Sequence, residues 1–175
     1  AELQDKRLVM IMDVEKVLAD TGDFYDDTAF EGIEKMENGK KYKVLYADDS
    51  NVARKQITQT LDKLGVNHTG VINGALAWKT LEKLATQCEE ESRDITTEIQ
   101  VVLTDVEMPE MDGYVLTQKI KSDPRMAHLP VIMHSSLTAV ANQAMGRGAG
   151  SDAYVSKFQP LELAATIRGF IENKH

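Results

Sequence analysis

The stretch Val101-Val102-Leu103-Thr104-Asp105-Val106-Glu107-Met108-Pro109-Glu110-Met111-Asp112-Gly113 sets the reading of everything around it. It opens with a short β-branched, apolar run that ends on a carboxylate. Such a run, with no polar alternation, fits a strand buried on both faces of a parallel sheet. Related runs stand on either side: Val44-Leu45-Tyr46-Ala47, a weaker one near Val71-Ile72, then Val131-Ile132-Met133 and Ala153-Tyr154-Val155. Between them apolar residues recur at helical spacing, as in Ala53, Ile57, Leu61 and Leu64, in Ala77, Leu81, Leu84 and Cys88, and in Leu163, Ile167, Phe170 and Ile171. Ser50 and Asn73 are suited to cap helix N-termini, Gly65 follows one helix, and Asp123-Pro124 stops another. Gly146, Gly148 and Gly150 are expected to end the fourth helix rather than to form a phosphate loop, since no Gly-Lys-Thr/Ser follows them.

Five strand–helix units predict an α/β fold, a doubly wound (βα)5 parallel sheet with helices on both faces, because crossovers between parallel strands are right-handed. Chemistry in such sheets gathers at the carboxyl ends of the strands, near the switch in strand order. Residues 1 to 40 are different. Leu8 to Met12 reads as a strand and Val14 to Leu18 as a short helix or a continuation of that strand; an acidic stretch follows from Asp20 to Glu37, with a helix expected over Thr28 to Met36. This lead is too short for a core of its own, so it reads either as the tail of another domain or as an arm docked on the main domain.

Composition narrows the function classes. The net charge of −8 argues against nucleic acid as a partner, since phosphate binding needs an excess of Lys and Arg. Cys88 is the single cysteine, which excludes an internal disulfide and a multi-thiolate zinc site; it is expected to be a small core residue. No apolar run approaches membrane-spanning length, and Asp13 interrupts the run after Lys6-Arg7 too early for a signal peptide, so a cytoplasmic protein with no membrane insertion is expected.

The candidate chemistry lies at the strand ends. Asp48-Asp49 follows the first run, Asp105 ends the third, Ser135 follows the fourth, and Lys157 follows the fifth. If the first and third strands are neighbours, as in the strand order 2-1-3-4-5, the acids are crowded together. Two unit charges about 5 Å apart repel by roughly 3 kcal/mol at an effective dielectric near 20. A hard divalent cation such as Mg²⁺ offsets that, and a lysine can pair with a carboxylate or a phosphoryl oxygen. Ser136 offers the same hydroxyl chemistry as Ser135. His134 beside the site is read as structural, and Met108 and Met111 as packing residues.

From Lys41 to His175 the chain resembles the receiver domains of response regulators, the CheY-like family. The resemblance rests on Ala47-Asp48-Asp49-Ser50, the Asp-x-x-Met-Pro-x-Met-Asp-Gly run from Asp105 to Gly113, Ser135, and Gly150-Ser151-Asp152-Ala153-Tyr154-Val155-Ser156-Lys157. It implies a flavodoxin-like order 2-1-3-4-5, with Asp105 as phospho-acceptor and a sensor histidine kinase as donor. Asp49, Asp105 and the backbone carbonyl of Glu107 would hold Mg²⁺, with Asp48 acting through a water; Lys157 and Ser135 would bind the phosphoryl group. Ser135 and Tyr154 would form the switch, although Tyr154 can equally be a core residue. Such a domain is a regulatory module rather than an enzyme in its own right, assisting its own phosphotransfer and dephosphorylation.

Two positions depart from the family pattern. Phe158 stands where proline usually follows the lysine, so that peptide is either a costly cis bond or trans. Glu107 adds a carboxyl near the acceptor, and altered phosphorylation or hydrolysis rates are expected of it. The segment from Cys88 to Glu98 is long and should extend the second helix and its loop.

The lead from Arg7 to Leu18 resembles the end of a CheW-like coupling domain, and a coupling domain before a receiver is the layout of CheV-type chemotaxis adaptors. That implies residues 1–40 as a domain tail with an acidic linker, residues 41–175 as the receiver, the kinase CheA as donor, and a chemoreceptor array as neighbour. The alternatives are a receiver with another output domain, a pseudo-receiver that binds partners without phosphorylation, and an aspartyl phosphohydrolase. The last would resemble Asp-x-Asp after a first strand, whereas position 107 is Glu and the acid pair lies upstream.

Overall fold

The computed structural model describes residues 27–136 and 140–173. The strand over Leu8 to Met12 and the helix over Val14 to Leu18 lie outside the described residues. Five parallel strands form one sheet: β1 (Lys43–Ala47), β2 (Asn67–Val71), β3 (Val101–Asp105), β4 (Val131–Ser135) and β5 (Ala153–Ser156), in the order β2-β1-β3-β4-β5. The helices are α1 (Asn51–Leu64), α2 (Gly74–Glu90), α3 (Gly113–Ser122), α4 (Val140–Ala149) and α5 (Pro160–Glu172).

Strand periodicity divides the core in two. Val44, Tyr46, Val101, Leu103 and Ile132 face α1 and α5, where they meet Ile57, Leu61, Leu64, Leu163 and Ile167. Leu45, Ala47, Val102 and Val131 face α2 and α3, meeting Ala77, Leu81, Leu116 and Ile120. All five residues of β3 and of β4 are buried, which is why each strand opens with three consecutive apolar residues; the polar residues Thr104, Asp105, His134 and Ser135 are buried at their carboxyl ends.

The helix ends follow local chemistry. The Ser50 and Asn73 side chains accept from Ala53 N–H and Leu76 N–H, so both expected caps are present. Gly65 closes α1 at φ 76°, a left-handed conformation that favours glycine. Gly150 follows α4 at φ 96°, whereas Gly146 and Gly148 lie within the helix. The second helix runs to Glu90, and a 3-10 turn at Ile95–Thr97 continues the long connection; Cys88 is buried.

Two expectations need correction. β2 lies at Asn67–Val71, upstream of the run near Val71-Ile72, and Ile72 is exposed beyond its end. As the sheet edge it carries Asn67, Thr69 and Gly70 in exposed positions, so it has no apolar run to betray it. A Cβ on Gly70 would come within 2.4 Å of the Tyr46 ring, which lies across this edge and hydrogen-bonds to Thr58 Oγ1 at 2.8 Å through its hydroxyl. The helix expected over Thr28 to Met36 is only a 3-10 turn, Asp27–Phe30; Gly32 at φ 90° stops it from continuing.

Candidate functional site

β1 and β3 are paired neighbours, with Ala47 opposite Thr104, so the residues at their carboxyl ends meet. One carboxylate oxygen each from Asp48, Asp49 and Asp105 lies within 4.8 Å of the others. Asp48 and Asp105 are buried and Asp49 is exposed. Lys157 arrives from beyond β5. Its Nζ stands 3.2 Å from Asp48 Oδ2 and 3.1 Å from Asp105 Oδ2, and the side chain is 1% exposed.

One ammonium faces three carboxylates, so the cluster keeps a formal charge of −3 + 1 = −2 when all are ionised. Burial, followed by the charge of Asp48, pushes the Asp105 carboxyl up to about 7; the charge of Lys157 and hydrogen bonds from Lys157 and Val106 N–H act in the opposite direction. Excess negative charge on oxygen donors at this spacing fits a hard divalent cation.

The surrounding backbone is tightly fixed. Val106 N–H donates to Asp105 Oδ1 at 2.7 Å, and Thr104 Oγ1 donates to the Asp105 carbonyl at 2.9 Å. Gly113 N–H donates to the Val106 carbonyl at 2.9 Å, and Asp112 caps α3 by accepting from Val115 N–H at 2.8 Å. A Cβ on Gly113 would lie 2.1 Å from the Asp105 carbonyl oxygen, so only glycine allows this approach. Glu110, inside the same loop, takes φ 67°.

Ser135 ends β4, is buried, and accepts from Lys157 N–H at 2.9 Å through its carbonyl; Ser136 is exposed. The Lys157–Phe158 peptide is trans, and the chain turns instead through φ 66° at Phe158. Tyr154 lies opposite Met133 and packs with Tyr114, half-buried, against Val106, Met133 and Ala149. Tyr114 donates its hydroxyl to the Asn142 carbonyl at 3.3 Å, linking α3 to α4. An open cleft beside the acids is lined by Asp49, Glu107, Met108, Tyr114 and Met145. The structure thus brings Asp48, Asp49, Asp105 and Lys157 together, with Ser135 at the adjoining strand end and Glu107 on the rim.

Two further residues bear on the site: Arg54, which the sequence reading missed, and His134, which it read as structural. Arg54 Nη1 donates to the Asp48 carbonyl at 2.7 Å; its place in the first turn after the acid pair was the available hint. His134 is buried, and neither ring nitrogen has a hydrogen-bond partner among the described residues. Burial and then the charge of Lys157 hold it neutral, with its pKa down to about 3.

Residues 44–168 match the family model of the response regulator receiver domain. Chemotaxis protein CheV1 of Helicobacter pylori is 31% identical over 169 residues, covering 96% of this chain and 50% of CheV1. Protein PilG of Pseudomonas aeruginosa is 32% identical over 140 residues, covering 79% of this chain and 93% of PilG. The chain spans about half the length of the CheV relatives it matches. Among solved structures, the receiver domain of the histidine kinase CKI1 from Arabidopsis thaliana, complexed with Mg²⁺ and BeF3⁻, superposes with a TM-score of 0.68. It is 28% identical, covering 77% of this chain and 92% of that one.

Proposed function

The chain belongs to the response regulator receiver domain family, and we propose that it takes a phosphoryl group on Asp105 from a phosphohistidine of a sensor histidine kinase. The observation that carries this is Lys157 Nζ lying between the Asp48 and Asp105 carboxylates, buried, at the carboxyl edge of the sheet. A carboxylate oxygen of Asp105 attacks phosphorus in line, the phosphorus–nitrogen bond breaks, and the imidazole leaves with that electron pair. Lys157 then pairs with a phosphoryl oxygen, and the Ser135 hydroxyl donates to another. Asp49, Asp105 and the Glu107 carbonyl would hold Mg²⁺, with Asp48 acting through a water; when bound, the ion supplies charge neutralisation for the carboxylates and the transferring group. Glu107 on the rim of the cleft tunes phosphorylation and hydrolysis rates.

Phosphorylation adds close to two negative charges and three acceptor oxygens beside Ser135 and Lys157. Movement of Ser135 toward them lets Tyr154 turn inward, and the face of α4, β5 and α5 changes its packing as a population shift. The chain is a receiver module of two-component signalling with chemotaxis relatives. The CheV relatives support a cytoplasmic CheV-type adaptor, with CheA as donor at a chemoreceptor array, residues 41–175 as the receiver, and residues 1–40 as a CheW-like tail and a linker whose last part packs on the receiver. No helix among the described residues is long and apolar enough to cross a membrane.

The test is transfer from a phosphorylated CheA-type kinase to the full chain with Mg²⁺ present. Loss of label from the kinase and its gain by the chain, abolished by chelator and by Lys157→Ala, is the expected result. A chain that stays unlabelled while another receiver accepts the phosphoryl group would overturn the proposal in favour of a phosphorylation-independent binding module.

A further inference from the structure

Residues 27–42 lie ahead of the part that matches the receiver family, which begins at residue 44. They are nonetheless built into the domain. Phe30 is 2% exposed and Met36 6% exposed, and Met36 joins the core formed by α1 and α5. Ile33 and Tyr42 pack against the same core, and the 3-10 turn at Asp27–Phe30 lies against both helices.

The hydrogen bonds are specific. Met36 N–H donates at 2.9 Å to the Leu64 carbonyl, one of the acceptors left open at the end of α1. Asn67 holds the arm at two places, through its N–H to the Tyr42 carbonyl at 2.9 Å and through Nδ2 to the Lys40 carbonyl at 2.5 Å. From α5, Arg168 donates to the Glu34 carbonyl. A Cβ on Gly39 would lie 2.8 Å from the Gly65 carbonyl oxygen, so the two backbones are nearly in contact.

We propose that the α1–α5 face is an interaction surface whose occupant is this chain's own residues 27–42. Docked there, the arm closes the face to partner proteins and holds the chain at residue 27 in a fixed place on the domain. Three features argue for this occupant: the buried apolar anchors, the completion of the α1 terminus, and an arginine on α5 facing an arm glutamate. The CheV1 match covers 96% of this chain and so runs through the arm, whereas the receiver family match does not reach it.

The test is amide hydrogen exchange on the full chain. The N–H groups of Met36 and Asn67 are expected to exchange at least about 100-fold more slowly than in a free peptide. Phe30→Ala is expected to speed exchange at Met36 and Gly39 by about 100-fold while the β3 amides keep their rates. Free-peptide exchange at Met36 in the unaltered chain would overturn the proposal, whatever the variant does. So would Phe30→Ala leaving the arm's protection unchanged.

Discussion

Replacing Gly113 with alanine tests the geometry that holds the acceptor strand. The added Cβ would sit 2.1 Å from the Asp105 carbonyl oxygen, 3.0 Å from its carbonyl carbon and 3.1 Å from Val106 Cα. All three are backbone atoms. Restoring ordinary contact at 3.4 Å requires a shift of 3.4 − 2.1 = 1.3 Å between the start of α3 and the end of β3. Overpacking of this kind costs about 1–3 kcal/mol, a fall of roughly 3–10 °C in melting temperature for a domain of this size. Misplacing a reacting group by about 1 Å can cost on the order of 100-fold in rate, and the acceptor carboxylate is attached to the backbone that must move. The assays are thermal melting and labelling with acetyl phosphate and Mg²⁺. Gly148→Ala is the control: it lies within α4, nothing stands within 4 Å of its Cβ position, and the change should stabilise by about 0.5–1 kcal/mol. A Gly113→Ala protein with the parent's melting point and labelling rate would refute this reasoning.

Further outcomes follow from individual positions. In the metal-free protein Asp105 binds its proton more tightly folded than unfolded, with a pKa of about 7 against 3.8. Its contribution to stability therefore falls as pH rises through that window and levels off above about 7, and Asp105→Asn should flatten the decline in a pH series of denaturant melts. Glu110→Gly should stabilise by about 1 kcal/mol in the same melts, because the φ of 67° at Glu110 suits glycine. Phe158→Pro should destabilise by at least about 1 kcal/mol, because proline fixes φ near −65° and the chain there needs 66°; an unchanged melt would mean the loop does not depend on that conformation.

The parts of the fold that were readable in the sequence share one physical cause. β1, β3 and β4 are sandwiched between helix layers, so apolar side chains are required on both faces and the runs stand out. β2 escaped because an edge strand can be polar, and its Gly70 is set by the Tyr46 ring rather than by strand propensity. A docked arm was one of two readings open for residues 1 to 40, but its anchors were not legible, because Phe30 and Met36 are single apolar residues within an acidic stretch, with no period to mark them. Asp48, Asp49, Asp105 and Lys157 were legible because each ends or directly follows a recognisable strand. That Lys157 pairs with both Asp48 and Asp105 was not, since the pairing depends on side-chain reach. Buried polar groups such as His134, and the backbone contact made by Arg54, are likewise products of packing.

Locating the phosphoryl group is the most direct test of the central claim. The full chain would be labelled with acetyl phosphate and Mg²⁺, reduced with borohydride so that an acyl phosphate becomes an alcohol at the modified residue, and sequenced by tandem mass spectrometry. The account predicts homoserine at position 105 and at no other acidic residue. Homoserine at Asp48 or Asp49, or no reduced residue in a chain that has gained the phosphoryl mass, would contradict it.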